Sequence, residues 1–173
     1  MTWSAAPASV VADLAAAARD YLRLEEGGEA AVLNALAAAA LDLAERFCGR
    51  ALVARAFTED LAGTGEWRRL TAGPVTAIGN VTGADGAPPV AAYAVDIDPA
   101  GDGWVRVAAG ARVSVGYVAG LAASFATLPG GLAQGCVLLV AHLFEHREGD
   151  AAPPAAVAAL WRPYRRVQLG AAR

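Results

Sequence analysis

Apolar positions recur every three or four residues toward both ends of the chain and every second residue through its middle. That pattern predicts helices, then strands, then helices. The first helical stretch carries Val10, Leu14, Ala17, Ala18 and Tyr21; Ser9 stands where an N-cap belongs and the helix should end near Leu24. Glu25, Glu26, Gly27 and Gly28 form a polar break. A second helix is expected from about Glu29 to Cys48, with Leu33, Leu36, Ala37, Ala40, Leu41, Ala44, Phe47 and Cys48 on one wide apolar stripe. Glu29 favours its start, and Arg46 followed by Gly49 is the signature of its end.

From Ala51 the period shortens. Runs rich in Val, Ile, Thr, Trp and Tyr alternate with Gly, Pro and Asp, predicting strands near Leu52–Leu61, Glu66–Leu70, Val75–Thr82, Ala92–Asp96, Trp104–Ala108 and Arg112–Tyr117. Asp85-Gly86 and Asp102-Gly103 read as turns. The gaps are too short for crossover helices, so the strands should pair antiparallel. A third helix begins after Leu128, with Pro129 in its first turn and Leu132, Cys136, Leu139, Val140, Leu143 and Phe144 on its core stripe, ending near Glu148-Gly149. Pro153-Pro154 open a shorter fourth segment carrying Val157, Leu160, Trp161 and Tyr164, which Pro163 should stop or kink. The expected fold is α+β: N- and C-terminal helices forming one bundle, with a small antiparallel β unit inserted between them. The expected organisation is a single domain over 1–173, with helices in 9–49, the β unit in 51–118 and helices in 129–168.

Composition narrows the classes. The chain has 173 residues, 56% of them hydrophobic, which is enough to build a core. All 14 basic residues are Arg, and about a quarter of the chain is Ala, a bias that raises apparent hydrophobicity without adding much buried volume. The net charge of −3 lacks the basic excess of nucleic-acid binders. Charge is uneven: Thr58 to Asp102 hold seven acids against two Arg, and after Pro153 the only charges are Arg162, Arg165, Arg166 and Arg173. These are either solvated surfaces or complementary patches between subunits. Cys48 and Cys136, each inside an apolar helical pattern, read as buried reduced thiols. The N-terminus lacks a basic region and its apolar stretch is broken by Asp13 and Arg19, so no signal peptide is expected. Leu132 to Phe144 is too short to span a bilayer, and no membrane partner is expected.

The sharpest catalytic candidate is His142-Leu143-Phe144-Glu145-His146, which fits the H-x-x-E-H pattern of one zinc peptidase class. On a helix the two imidazoles are one turn apart, and Glu145 would serve as general base on a metal-bound water. The third ligand is missing: these are the only two His, and after Glu148 the only acid is Asp150. A zinc-dependent hydrolase is therefore the alternative reading rather than the main one. Asp96-Ile97-Asp98-Pro99-Ala100-Gly101 has the opening of a calcium loop but no acid at the closing position, where Val107 stands, so it reads as an ordinary turn. No phosphate loop or nucleophile elbow is present, and no catalytic, cofactor or metal residues are assigned. Trp161, Arg162, Pro163, Tyr164, Arg165 and Arg166 form a cluster of the side chains that anchor protein interfaces. The same cluster also suits a helix folded back on the core with its Arg residues near the helix end.

Four stretches in order resemble the head–tail connector (adaptor) proteins of long-tailed phages and of phage-like gene transfer agents. They are Tyr21-Leu22-Arg23-Leu24; Ala44-Glu45-Arg46-Phe47-Cys48-Gly49-Arg50-Ala51-Leu52; Leu70 to Val81 with Gly73-Pro74-Val75; and Val115-Gly116-Tyr117-Val118-Ala119-Gly120, then Leu128-Pro129, then Val140 to Glu148. The likeness runs from about residue 9 to 168; the β region is longer and richer in Gly and Ala than the family pattern. The resemblance implies a structural subunit of a homo-oligomeric ring, usually twelve-fold, docked beneath the portal protein. That ring carries the next connector, stopper or tail component, and DNA passes through its lumen without sequence-specific binding. It implies no enzyme activity and no cofactor. It places the protein in the neck of a virion or phage-like particle assembled in the bacterial cytoplasm. By the same analogy Trp161, Arg162, Tyr164, Arg165 and Arg166 lie in the segment that reaches the portal or a neighbouring subunit.

Overall fold

A computed structural model describes residues 4–25, 27–83, 93–146 and 152–166. The elements are α1 (Ala8–Leu22), α2 (Ala30–Cys48), β1 (Arg55–Ala62), β2 (Trp67–Arg69), β3 (Val75–Gly83), β4 (Tyr93–Ile97), β5 (Gly103–Val107), β6 (Arg112–Ala119), α3 (Gly130–Glu145) and α4 (Ala155–Trp161). Short 3-10 turns at Phe125–Thr127 and Arg162–Tyr164 precede α3 and follow α4. The architecture is mixed α+β, as the periodicity predicts. The chain forms two compact units: one of Ala54–Leu121 with Ser4, the other of Ala5–Val53 and Ala122–Arg173.

In the helical unit α3 packs against α1, α2 and α4. Its stripe of Leu132, Cys136, Leu139 and Val140 is buried, joined by Gly135, Val137 and Ala141; Leu143 and Phe144, expected on that stripe, are half-buried. Ala18, Ala37, Ala40 and Ala44 are fully enclosed, so small side chains let the helices approach closely and the core is thin but continuous. Leu33, Leu41 and Cys48 complete the buried stripe of α2, with Leu36 and Phe47 at its margin. Gly49 ends α2 in the left-handed conformation (φ 66°) and its N–H donates to the Glu45 carbonyl, the closure that a residue without Cβ provides at least strain. Glu45 is buried, and its carboxylate accepts the Leu52 N–H at 2.9 Å, fixing the chain as it leaves the helix.

Two expectations at α1 need correction. Pro7, not Ser9, occupies the N-cap position, with no side-chain cap; Ser9 lies inside the first turn and is exposed. The Pro7 carbonyl accepts the Val10 N–H at 3.0 Å and the Val11 N–H at 3.2 Å, so the helix opens on it. Tyr21 is 53% exposed rather than buried. The helix ends where expected, with Leu22 its last residue and Arg23 closing it in the left-handed region (φ 54°).

The other unit holds two three-stranded antiparallel sheets, ordered β1-β6-β3 and β2-β5-β4. All six expected strands are present. β6 is central to the first sheet and buries every second residue: Val113, Val115, Tyr117 and Ala119. Phe57 lies opposite Tyr117, and their rings stack with centroids 5.6 Å apart. The Glu59 carboxylate accepts hydrogen bonds from Thr71 N (3.0 Å), Thr71 Oγ1 (2.9 Å) and the Tyr117 hydroxyl (3.3 Å), while that hydroxyl accepts from Ala72 N (3.2 Å). Burial pushes the Tyr117 phenol up to about 12. The turn expected at Asp102-Gly103 sits earlier, at Asp98 to Gly101; Gly103 already opens β5. The turn expected at Asp85-Gly86 lies outside the described residues.

Candidate interface at the C-terminal arginine–aromatic segment

The residues Trp161, Arg162, Tyr164, Arg165 and Arg166 follow one another from the last turn of α4 into a 3-10 turn, the change of pitch falling where Pro163 denies the helix an N–H donor. The structure divides them by role. Trp161 is 4% exposed and belongs to the core. Its indole Nε1 donates to the Leu132 carbonyl at 3.3 Å, its ring lies 5.8 Å from that of Phe47, and its flat face covers Gly135 of α3. A Cβ at Gly135 would stand 2.8 Å from Trp161 Cδ1, so the absence of a side chain there is what admits the indole. Tyr164 is half-buried and lies over Gly131 in the same manner, 3.3 Å from where a Cβ would be.

The arginines face outward. Arg162 and Arg165 are exposed, and Arg166 is half-buried. Arg165 sets its guanidinium 5.7 Å from the Phe47 ring centroid. Arg166 N–H donates to the Cys48 carbonyl at 2.8 Å, one of the last carbonyls of α2, which ties the segment's end to that helix. The segment is thus a rigid strap: two aromatics seat it and three guanidiniums stand along it. The sequence could not show which aromatic is buried. The usable signal was the pair Gly131 and Gly135, one turn apart on an otherwise bulky helix face.

Beside the strap, Leu43, Phe47, Leu139, Pro154, Val157 and Trp161 line an open apolar groove of about 480 Å³. Leu43 is 43% exposed at its rim. Cys48 and Cys136 lie beneath, both fully enclosed and unbridged. Burial pushes the Cys48 thiol up to about 11 against the opposing pull of Arg50, and pushes Cys136 up to about 12.

The two His of the zinc pattern come together without a third ligand. Their rings are 4.3 Å apart, His146 Nδ1 sits 2.9 Å from the His142 carbonyl, and Glu145 is exposed. Among the described residues no three His, Cys, Asp or Glu side chains are grouped as a metal site would need. The Asp98 carboxylate is taken up by its own turn: Oδ1 accepts from Ala100 N and Asp102 N at 2.9 and 2.8 Å, and Oδ2 from Trp104 Nε1 at 3.0 Å. Among the described residues no helix is long and apolar enough to cross a membrane.

No family model and no curated protein matches the sequence. Solved structures do. The chain is similar to one in the neck of an empty gene transfer agent particle computed with C6 symmetry, at 28% identity over all of both chains with a TM-score of 0.78. It is similar to a chain of the virion of a native gene transfer agent particle, at 30% identity over 96% of both chains and a TM-score of 0.74. A third, in the neck of a native particle computed with C12 symmetry, is 27% identical over all of both chains with a TM-score of 0.77. This likeness over nearly the whole of each chain defines the class: a structural component of a particle neck. The chain belongs to the head–tail connector family of phage-like gene transfer agents, components of the particle neck.

Proposed function

We propose that the protein is a non-enzymatic connector subunit that forms a ring between the portal and the tail-side components of a phage-like particle, with DNA passing through its lumen. The observation that carries this is full-length likeness to neck components at 27–30% identity. The C6 and C12 symmetries of those necks support a ring for this chain. The exposed acidic residues of the β unit, such as Asp60 and Glu66, suit a conduit that repels DNA rather than holding it.

Within that ring, Arg162, Arg165 and Arg166 form the grip on the portal or a neighbour, and Trp161 and Tyr164 hold the grip in shape. Deletion of the chain's gene in the producing cell should yield filled heads without tails, restored by the wild-type chain. The variant carrying Arg162→Glu and Arg165→Glu changes two exposed side chains, one of them over the Phe47 ring, and should keep the wild-type circular dichroism and urea midpoint while failing to restore tails. Tailed particles from the deletion strain would overturn the connector reading; tailed particles from the double variant would overturn the arginine grip alone.

A further inference from the structure

Among the described residues the sheet β2-β5-β4 has two open edges of opposite character. At one edge Tyr93, Val95 and Ile97 of β4 lie opposite Val107, Val105 and Gly103 of β5. The β5 valines are 1% and 3% exposed, whereas their β4 partners are 42% and 39% exposed, with Ile97 also at 39%. The apolar side of the sheet therefore runs past its own core into solvent for three successive side chains. Asp96, on the reverse side of β4, is exposed as well. Three apolar residues on a strand edge are a liability unless something covers them.

The other edge is aromatic and basic. Trp67 of β2 is 44% exposed, and the Arg106 guanidinium stands 5.2 Å from its ring centroid. Arg68 is exposed beside it, on the side of the sheet that Val105 and Val95 share. Trp and Arg are the side chains that most often anchor interfaces, and their charge is opposite to that of Asp96. A closed ring of more than two copies needs a heterologous contact, in which each copy offers two different surfaces to its two neighbours.

We infer that, in the ring proposed above, the β2 edge of one copy docks on the β4 edge of the next. Arg68 lays its aliphatic stem along the Tyr93, Val95 and Ile97 stripe on one side of the sheet, and on the reverse side Trp67 packs against the neighbouring strand while the Arg106 guanidinium meets the carboxylate of Asp96. The inference rests on the ring reading and adds which faces close it.

Two variants test it, Arg68→Cys and Val95→Cys, which share one side of the sheet, co-assembled into particles and treated with a short bis-maleimide. Both positions are exposed, and native Cys48 and Cys136 are fully enclosed. Because the new thiols sit on different copies, a covalent dimer reports only a contact between copies. Dimers should form in the mixture and in neither variant alone; Arg68→Cys with Ile97→Cys covers the adjacent register. Dimers from Val95→Cys alone, meaning a symmetric contact, would overturn the inference. So would intact neck rings that give no dimer with either pair, and that result leaves the ring reading standing. Necks that contain no ring of this chain overturn both.

Discussion

Replacing Gly135 by Ala tests how the C-terminal strap is seated, because two effects of opposite sign compete. Glycine inside an exposed helix costs about 1 kcal/mol relative to alanine, so on propensity alone the change should stabilise α3. The structure predicts the reverse. A Cβ at this position falls on the indole of Trp161, 2.8 Å from Cδ1 and 3.0 Å from Cε2, and closest to Nε1. The indole is a rigid plane held against Phe47 and cannot yield as a flexible side chain would. Overpacking costs about 1–3 kcal/mol. Displacement also breaks the bond from Trp161 Nε1 to the Leu132 carbonyl, and a buried donor left unpaired costs about 1–3 kcal/mol more. The net expectation is a loss of about 2 kcal/mol, or about 4–8 °C in Tm for a chain of this size. Urea unfolding followed by circular dichroism at the helix minimum measures it. The diagnostic is a change of sign: in a Trp161→Leu background the clash is gone, and Gly135→Ala should stabilise by about 1 kcal/mol, giving a coupling of about 3 kcal/mol between the two sites. If Gly135→Ala stabilises the wild-type chain, Trp161 is not seated on α3 and the strap is not rigid.

Three further outcomes follow from buried polar groups. Cys48 and Cys136 should stay unlabelled by a disulfide reagent near neutral pH and react once the chain unfolds; rapid labelling of the folded chain would place a thiol at the surface. Both thiols are raised by burial, from 9.0 to about 11 and about 12. The unfolded chain therefore sheds protons first: their contribution is complete below pH 9, declines as pH climbs toward the folded values, and the decline should flatten in the Cys48→Ala, Cys136→Ala variant when unfolding free energy is measured against pH. Glu59→Ala leaves Thr71 N and Oγ1 and the Tyr117 hydroxyl without their acceptor and should cost about 1–3 kcal/mol in urea unfolding; an unchanged midpoint would refute that network. Glu45→Ala should cost a similar about 1–3 kcal/mol by unpairing Leu52 N, with Glu45→Gln restoring most of it because the amide keeps an acceptor oxygen; equal losses for the two would show that the charge, not the bond, matters.

Helices and strands were legible because this chain's periodicities are unmixed. The α2 stripe from Leu33 to Cys48 appears with Gly49 as its terminator, and all six strands fall within a few residues of the expected limits. Boundaries drifted where a local rule had two solutions. Ser9 is a good cap by type, but the helix opens two residues earlier, on the Pro7 carbonyl. Asp102-Gly103 is a good turn by type, but the Asp98 side chain binds two backbone N–H groups and draws the turn forward. The division of the six strands into two sheets was not legible, since β1 pairs with β6 and β2 with β5 across long separations that local pattern does not encode.

The candidate interface shows the same limit and its physical source. Composition marks Trp161 to Arg166 as one cluster, because tryptophan, tyrosine and arginine favour interfaces by type. Burial separates them, because an apolar ring gains by leaving water and a guanidinium loses unless it is paired. What decides the matter for Trp161 is not the residue but its receiver: Gly131 and Gly135 remove two side chains from one face of α3 and leave a flat seat for Trp161 and Tyr164. Of the arginines between and after those aromatics, Arg162 and Arg165 are left exposed, and Arg166 is half-buried. A strap fixed by its rings and charged along its back presents its guanidiniums without a loss of chain entropy on docking, the condition under which exposed charges contribute most to association. Glycines that carry no chemistry therefore set the shape of the segment, and Gly135→Ala should weaken neck assembly without altering a single charge.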